Sequence, residues 1–313
     1  MRDFAFHRPR SVAEAVALLR GKESAKLLAG GQSLLPVMKL DLAEPTDLVS
    51  LAAIGAGAAR AARGASAAGA ANPQHPDAPE APEDIGLRQV RAEPASSGDA
   101  GRLAIGALVT HDEVSSSAEV RRLIPGLAAL AAGIGDAQVR NRGTIGGSLA
   151  HADPAADYPA AVLALGATIE TDRRKIAADE FFTGLFGTAL AADEIITKVH
   201  FPVPERCAYV KLPHRASKFA VVGVMVARFA PLHGAAGTVR VAVTGAGQKA
   251  FRLPALEAAL AARFTPEAAG PGALDGALDG MATAALRSDP EASAEYRAHL
   301  VTVMARRAIQ ACL

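Results

Sequence analysis

Two glycine doublets stand out for the chemistry they allow: Leu28-Ala29-Gly30-Gly31-Gln32-Ser33-Leu34-Leu35 and, far along the chain, Thr144-Ile145-Gly146-Gly147-Ser148. A Gly pair permits positive φ and leaves no Cβ in the way, so successive backbone N–H groups can converge on an anion such as a pyrophosphate. One such loop is most often simply a turn. Two of them, each read as a strand turning sharply, point to a long phosphate-bearing ligand lying between them once the chain is folded. Ser33 and Ser148 sit beside these doublets, but neither has the closing glycine of the G-x-S-x-G nucleophile elbow, so both are read as loop hydroxyls. His151, Asp153 and Asp157 carry metal-binding atom types, yet Pro154 interrupts them and no ligand geometry is defined.

The elements that must hold the loops follow from pattern. Ser11 with Glu14 three residues on reads as an N-cap, and Val12, Ala15, Val16, Leu18 and Leu19 give the apolar stripe of a helix ending near Gly21. Strands are expected at Lys26–Ala29, running straight into the first doublet, and at Asp47–Leu51. Residues 52 to 71 then hold 12 alanines and Asn72–Glu83 is rich in Pro, so 55–101 reads as a low-complexity surface insertion with mobile parts. Regular structure resumes with a strand at Arg102–Ala107, a short helix capped by Thr110, a helix over Gly126–Gly133 and another over Ala155–Leu165. Strands at Glu194–Pro202, Ala208–Leu212, Ala220–Phe229 and Thr238–Thr244 argue for an antiparallel sheet, and the tail from Arg252, including Met281–Leu286 and Tyr296–Leu313, reads as helical.

Composition limits what the loops can serve. Lys plus Arg total 33 and Asp plus Glu 32 in 313 residues, so no net field draws nucleic acid or an anionic membrane. No apolar run approaches the roughly 18 to 20 residues of a membrane span, and the start lacks the apolar core of a secretory signal, so a cytoplasmic protein is expected. Two cysteines, Cys207 and Cys312, are too few for a disulfide framework or an iron–sulfur cluster. Any cluster belongs to a partner.

Five segments occur in order: AGGQSLLPVMKLDLAEPTDLVSL, LAIGALVTHDEV, QVRNRGTIGGSLAHADPAADYPA, EIITKVHFP and KLPHRASKFAVVGVMV. Together they resemble the FAD-binding medium subunit of the molybdenum hydroxylases, the family of carbon monoxide dehydrogenase medium subunits and of the flavin domain of xanthine dehydrogenase. The resemblance implies an α+β protein with a bipartite FAD-binding fold of the vanillyl-alcohol-oxidase (PCMH) type. Its two α/β subdomains would be residues 1–54 and 102–177, flanking the insertion at 55–101, with an antiparallel sheet and helices over 178–313. It implies FAD as cofactor, and as partners a small [2Fe–2S] subunit and a large molybdopterin subunit in a heterotrimer that is often dimerised. The chain would then take electrons from the clusters and pass them from FAD to an external acceptor.

Carried over by position, Leu28 through Leu35 match the pyrophosphate segment and Thr144, Ile145, Gly146, Gly147 and Ser148 a second FAD segment. Thr110 joins the cofactor-binding set. Asp157 matches an acidic residue that contacts the cofactor by accepting from hydroxyl groups, Ile196 (or its neighbour Ile195) an apolar residue against the ring, and Lys211 a lysine near the flavin. A cation in that poorly solvated place stabilises negative charge on a reduced flavin. Two departures stand out: Ser148 where relatives commonly have Asn, and Lys218-Phe219 where they have an acidic residue before an aromatic. Two competing readings remain. A freestanding FAD oxidase of the same fold group predicts acid or base residues and a substrate domain that the sequence does not display. A non-catalytic scaffold would keep the fold alone.

Overall fold

The side-chain oxygen of Ser11 accepts from the N–H of Glu14 and starts a helix, Val12–Arg20, that buries Val12, Ala15, Val16 and Leu19. This helix carries the chain from one edge of a small parallel sheet to the other. The sheet's strands are β1 (Ala5–His7), β2 (Ala25–Leu28) and β3 (Asp47–Ser50), in the order β1-β3-β2. The helix Leu34–Lys39 makes the crossover between the neighbouring strands β2 and β3. Parallel neighbours need such a crossover, and all four residues of β3 are accordingly buried. The computed structural model describes residues 2–55, 86–94, 101–231, 237–265, 267 and 285–313.

Seven strands follow: β4 (Val90–Glu93), β5 (Arg102–Gly106), β6 (Thr168–Thr171), β7 (Lys175–Ala177), β8 (Phe182–Gly184), β9 (Gly187–Thr188) and β10 (Ile196–Pro202). Apart from the β8–β9 pair they form one five-stranded sheet, β4-β5-β10-β6-β7, antiparallel at every pairing. The helices His111–Ser116, Pro125–Ala132, Ile145–His151 and Tyr158–Ala164 share its core with Leu103, Ile105, Val199 and Phe201, which are fully buried. Each such side chain contributes roughly 1.5–3 kcal/mol relative to exposure.

The third unit contains β11 (Arg206–Pro213), β12 (Ala220–Phe229), β13 (Thr238–Thr244) and β14 (Phe251–Arg252), paired antiparallel in chain order. Strand β12 is apolar almost throughout because both of its faces are covered. Val222, Val224 and Val226 join the core of the Ala294–Cys312 helix, whereas Met225 and Ala227 join the core shared with the Tyr158–Ala164 helix.

Several expectations need correcting. The low-complexity reading of 55–101 is wrong at its C-terminal end: Leu87 is fully buried and β4 pairs with β5. Its short Val-Arg-Ala-Glu strand carries too little alternation to announce itself beside the Pro-rich run. The Ala-rich stretch 56–71, the Pro-rich stretch and the expected mobility fall outside the described residues, apart from residues 86–94. Strand β10 lies at the centre of the second sheet, so residues up to Pro202 pack with the second unit rather than with the C-terminal sheet. Leu286, read as helical, bridges Gly247 instead, and residues 281–284 lie outside the described set. The second glycine doublet is not a strand turn but the first turn of a helix.

Candidate functional site

Strand β2 delivers the chain to Gly30 and Gly31, where it turns. Gly31 has φ +75°, open to glycine at no cost. A Cβ on Gly30 would stand 2.1 Å from the carbonyl oxygen of Arg142, so the first loop rests directly on the segment preceding the second doublet. The two regions are therefore neighbours in space, the arrangement to which the paired doublets pointed. Among the described residues, the backbone N–H groups of Gly30, Gly31, Gln32 and Ser33 find no acceptor, and these four residues line a cleft of about 1190 Å³. Ordinary small-molecule pockets hold about 300–1,000 Å³, so the volume suits a ligand of dinucleotide length.

The second doublet works differently. Thr144 caps the Ile145–His151 helix, its Oγ1 accepting from the N–H of Gly147 at 3.1 Å, while the Gly146 N–H donates to Ala107 O at 2.9 Å. A Cβ on Gly146 would meet that of Ala107 at 2.6 Å. These glycines serve close packing, and their amides are already paired. The cleft meets this helix at Thr144, Gly146, Gly147 and Ser148.

The other expected residues divide in two. Leu28, Ala29, Leu34, Asp157 and Ile196 line the cleft, and Ile195 does so beside Ile196. Leu35, Thr110, Ile145 and Lys211 stand behind it. Leu35 fills the space under Gly31, and Ile145 is fully buried. Thr110 forms a capping box with Glu113 and bridges Thr144, so it positions the second segment. The Lys211 Nζ lies 2.8 Å from Asp157 Oδ1 and donates to the carbonyl of Lys218 at 2.8 Å.

Asp157 is 3% exposed. Burial pushes its carboxyl above the usual carboxylate range, against the opposing pull of Lys211 and of Tyr209, whose hydroxyl donates to the same oxygen at 2.6 Å. The tyrosine pays for that carboxylate in turn, since burial and the neighbouring charge push its phenol well up.

Three cleft features were not foreseen. His111 sits beneath Gly143, where burial and then the Arg140 charge lower its pKa to about 4, keeping the ring neutral. Phe186, at φ 52°, and Phe219, next to Lys218 at φ 64°, place exposed rings on the cleft wall. Phe186 lies in a stretch without periodicity, so nothing in the sequence marked it. Phe219 stands where relatives have an aromatic, and the sequence marked that pair only through the departure at Lys218. Among the described residues no group of His, Cys, Asp and Glu is arranged to hold a metal ion, and Asp153 instead accepts from Ala155 N–H in a turn.

Three units meet at one dinucleotide-length cleft, with a run of amides that find no acceptor among the described residues at one wall and a buried lysine–carboxylate pair at another, and this defines a binding protein for a long phosphate-bearing ligand. The comparisons agree along the whole chain. The model described as the FAD binding domain in molybdopterin dehydrogenase matches residues 2–72 and 81–204, and that of the CO dehydrogenase flavoprotein C-terminal domain matches 207–312. The chain is 34% identical to the nicotine 6-hydroxylase medium subunit of Paenarthrobacter nicotinovorans, covering 96% of this chain and 94% of that one. It is 32% identical to the carbon monoxide dehydrogenase medium chain of Hydrogenophaga pseudoflava, covering 98% and 96%. A solved structure of carbon monoxide dehydrogenase from the same organism, lacking the Mo-pyranopterin moiety, superposes with TM-score 0.80 at 33% identity over 99% of this chain and 97% of that one. The protein belongs to the FAD-binding medium subunits of the molybdenum hydroxylases, flavoprotein subunits of oxidoreductases, and FAD is its cofactor.

Proposed function

We propose that this chain is the electron-transfer subunit of a heterotrimeric hydroxylase, working in the cytoplasm. It receives electrons from the [2Fe–2S] clusters of a small partner subunit, downstream of a molybdopterin-bearing large subunit, and delivers them to an external acceptor. The observation that carries this reading is the near-complete coverage, in both directions, of medium subunits of multi-subunit dehydrogenases.

FAD supplies a two-electron redox centre when bound. The chain's own contribution is placement and electrostatics. The amides of Gly30 to Ser33 are available to the pyrophosphate, because an anion there completes hydrogen bonds that the protein leaves open. Ile195 and Ile196, 1% and 5% exposed, present an apolar wall that excludes water. Lys211 supplies positive charge behind Asp157, which itself lines the cleft. Gly146 and Gly147 act by close packing that brings the helix and its Ser148 to the cleft.

Purification of the chain, followed by FAD titration, tests the cofactor assignment through the flavin spectrum. Expression with its neighbouring genes tests the partners. The expected result is co-purification of iron–sulfur and molybdenum subunits, with substrate bleaching the flavin only in the complex. Bleaching by a substrate added to this chain alone would overturn the reading in favour of a freestanding oxidase.

A further inference from the structure

We infer that Tyr209 is a positioning residue for the cofactor: together with Lys211 it holds the Asp157 carboxylate oriented and charged at the cleft wall. The inference rests on the flavin reading above and adds a residue to it.

The geometry is specific. Tyr209 and Lys211 are two apart on β11, so both side chains leave the same face of the strand. Both reach one oxygen of Asp157, the phenol at 2.6 Å and the ammonium at 2.8 Å. Opposite them, β12 breaks its valine run at Gly223, which pairs with Lys211. A Cβ on Gly223 would lie 2.2 Å from the Tyr209 hydroxyl. That glycine weakens a central strand, and its position is accounted for by the room the phenol needs. The hydroxyl therefore has a place prepared for it.

The segment ahead of Asp157 is fixed from the same sheet. Thr244 Oγ1 donates to Ala156 O at 2.6 Å and to Pro154 O at 3.0 Å, and the Gly245 N–H donates to Pro154 O at 2.8 Å. With backbone and one carboxylate oxygen both held by the third sheet, Asp157 has little freedom left. A carboxylate so held accepts from a ligand hydroxyl; protonation turns one oxygen into a donor, leaves only a weaker neutral acceptor and removes the charge that attracts Lys211. Among the described residues, the charged and titratable groups recorded as acting on it or acted on by it are Lys211 and Tyr209 from β11 and Tyr158 from its own helix. The phenol donates to the charged form, so removing it shifts Asp157 toward protonation.

The test is FAD titration of the full chain across pH, comparing wild type with Tyr209→Phe. Lower pH protonates Asp157 and weakens binding, so affinity has an acid limb. In Tyr209→Phe we expect FAD affinity at neutral pH to fall about tenfold and the acid limb to move to higher pH, as loss of a hydrogen bond to a charged group dictates. Wild-type affinity with an unmoved acid limb in this variant would overturn the inference. Should Tyr209→Phe fail to fold, fluorotyrosine placed at 209 by codon suppression keeps the shape and strengthens the donor. It should move the acid limb to lower pH, and an unmoved limb would sink the proposal. Failure of the wild-type chain to take up FAD would instead strike at the flavin assignment itself.

Discussion

Gly30 shows how one absent side chain sets a site. The residue lies in contact with Arg142, and any larger side chain must push the two segments apart. We expect Gly30→Ala to destabilise the protein by about 1–3 kcal/mol, the usual range for overpacking, and to reduce FAD affinity at least tenfold. Thermal melts with and without FAD measure both effects. An alanine variant with unchanged melting and binding would mean that the loops are not coupled. At this scale the sequence was informative about residue type and less so about role. The glycine doublets were legible because few other residues tolerate close backbone approach. Their difference was not, since a helical first turn and a strand turn can both contain a glycine pair. Only the pairing of each amide separates them. Tyr209 also escaped notice, because a tyrosine in an apolar strand carries no sign of what its hydroxyl meets.

Among elements, the approach to β10 shows how the cleft wall is kept in place. The side chain of Glu194 is fully buried. Its carboxylate accepts from Thr171 Oγ1, from Nε and Nη2 of Arg174, all at 2.8 Å, and from the Ala191 N–H at 2.9 Å. The Arg174 guanidinium holds its pKa down from 4.5 to about 2. A depressed carboxylate stabilises the fold above its unfolded value, and that stabilisation is lost as pH falls from 4.5 toward 2. Replacing Glu194 by Gln should cost about 1–3 kcal/mol at neutral pH, with the gap to wild type closing on acidification through that window. Denaturant melts at several pH values read it; a gap independent of pH would refute the assignment. Element existence was legible wherever periodicity ran long, as in β12, β13 and the Val12–Arg20 and Ala294–Cys312 helices. It failed for β1, β4, β7 and β14, each of two to four residues, which are strands because neighbours pair with them rather than because of their own pattern.

In the whole molecule, the third unit does more than cap the other two. It supplies Tyr209, Lys211 and Thr244, and its helix Ala294–Cys312 inserts Arg297, only 2% exposed, whose guanidinium donates to Val221 O, Gly245 O and Asp289. The Gly245 carbonyl so held belongs to the residue after Thr244. Thr244→Val removes the donor to Ala156 O while preserving shape. We expect a cost of about 1–3 kcal/mol and weaker FAD binding, although Thr244 does not line the cleft. Calorimetry alongside FAD titration checks both, and unaltered affinity would show that the third sheet is inert toward the site. This dependence was invisible in sequence, because it joins residues 154–157 to 209–245, and only the folded sheet brings them together.

The contact of Gly30 with Arg142 has a consequence for synthesis on the ribosome. The first loop emerges early, yet the surface it rests on follows only with residue 142, and the buried support of Asp157 only with residue 244. Long-range contacts of this kind form late. The first loop is therefore made more than a hundred residues before the segment it rests on, and the support of Asp157 a further hundred residues later, so the cleft and its buttress depend on the chain being synthesised at least through residue 244.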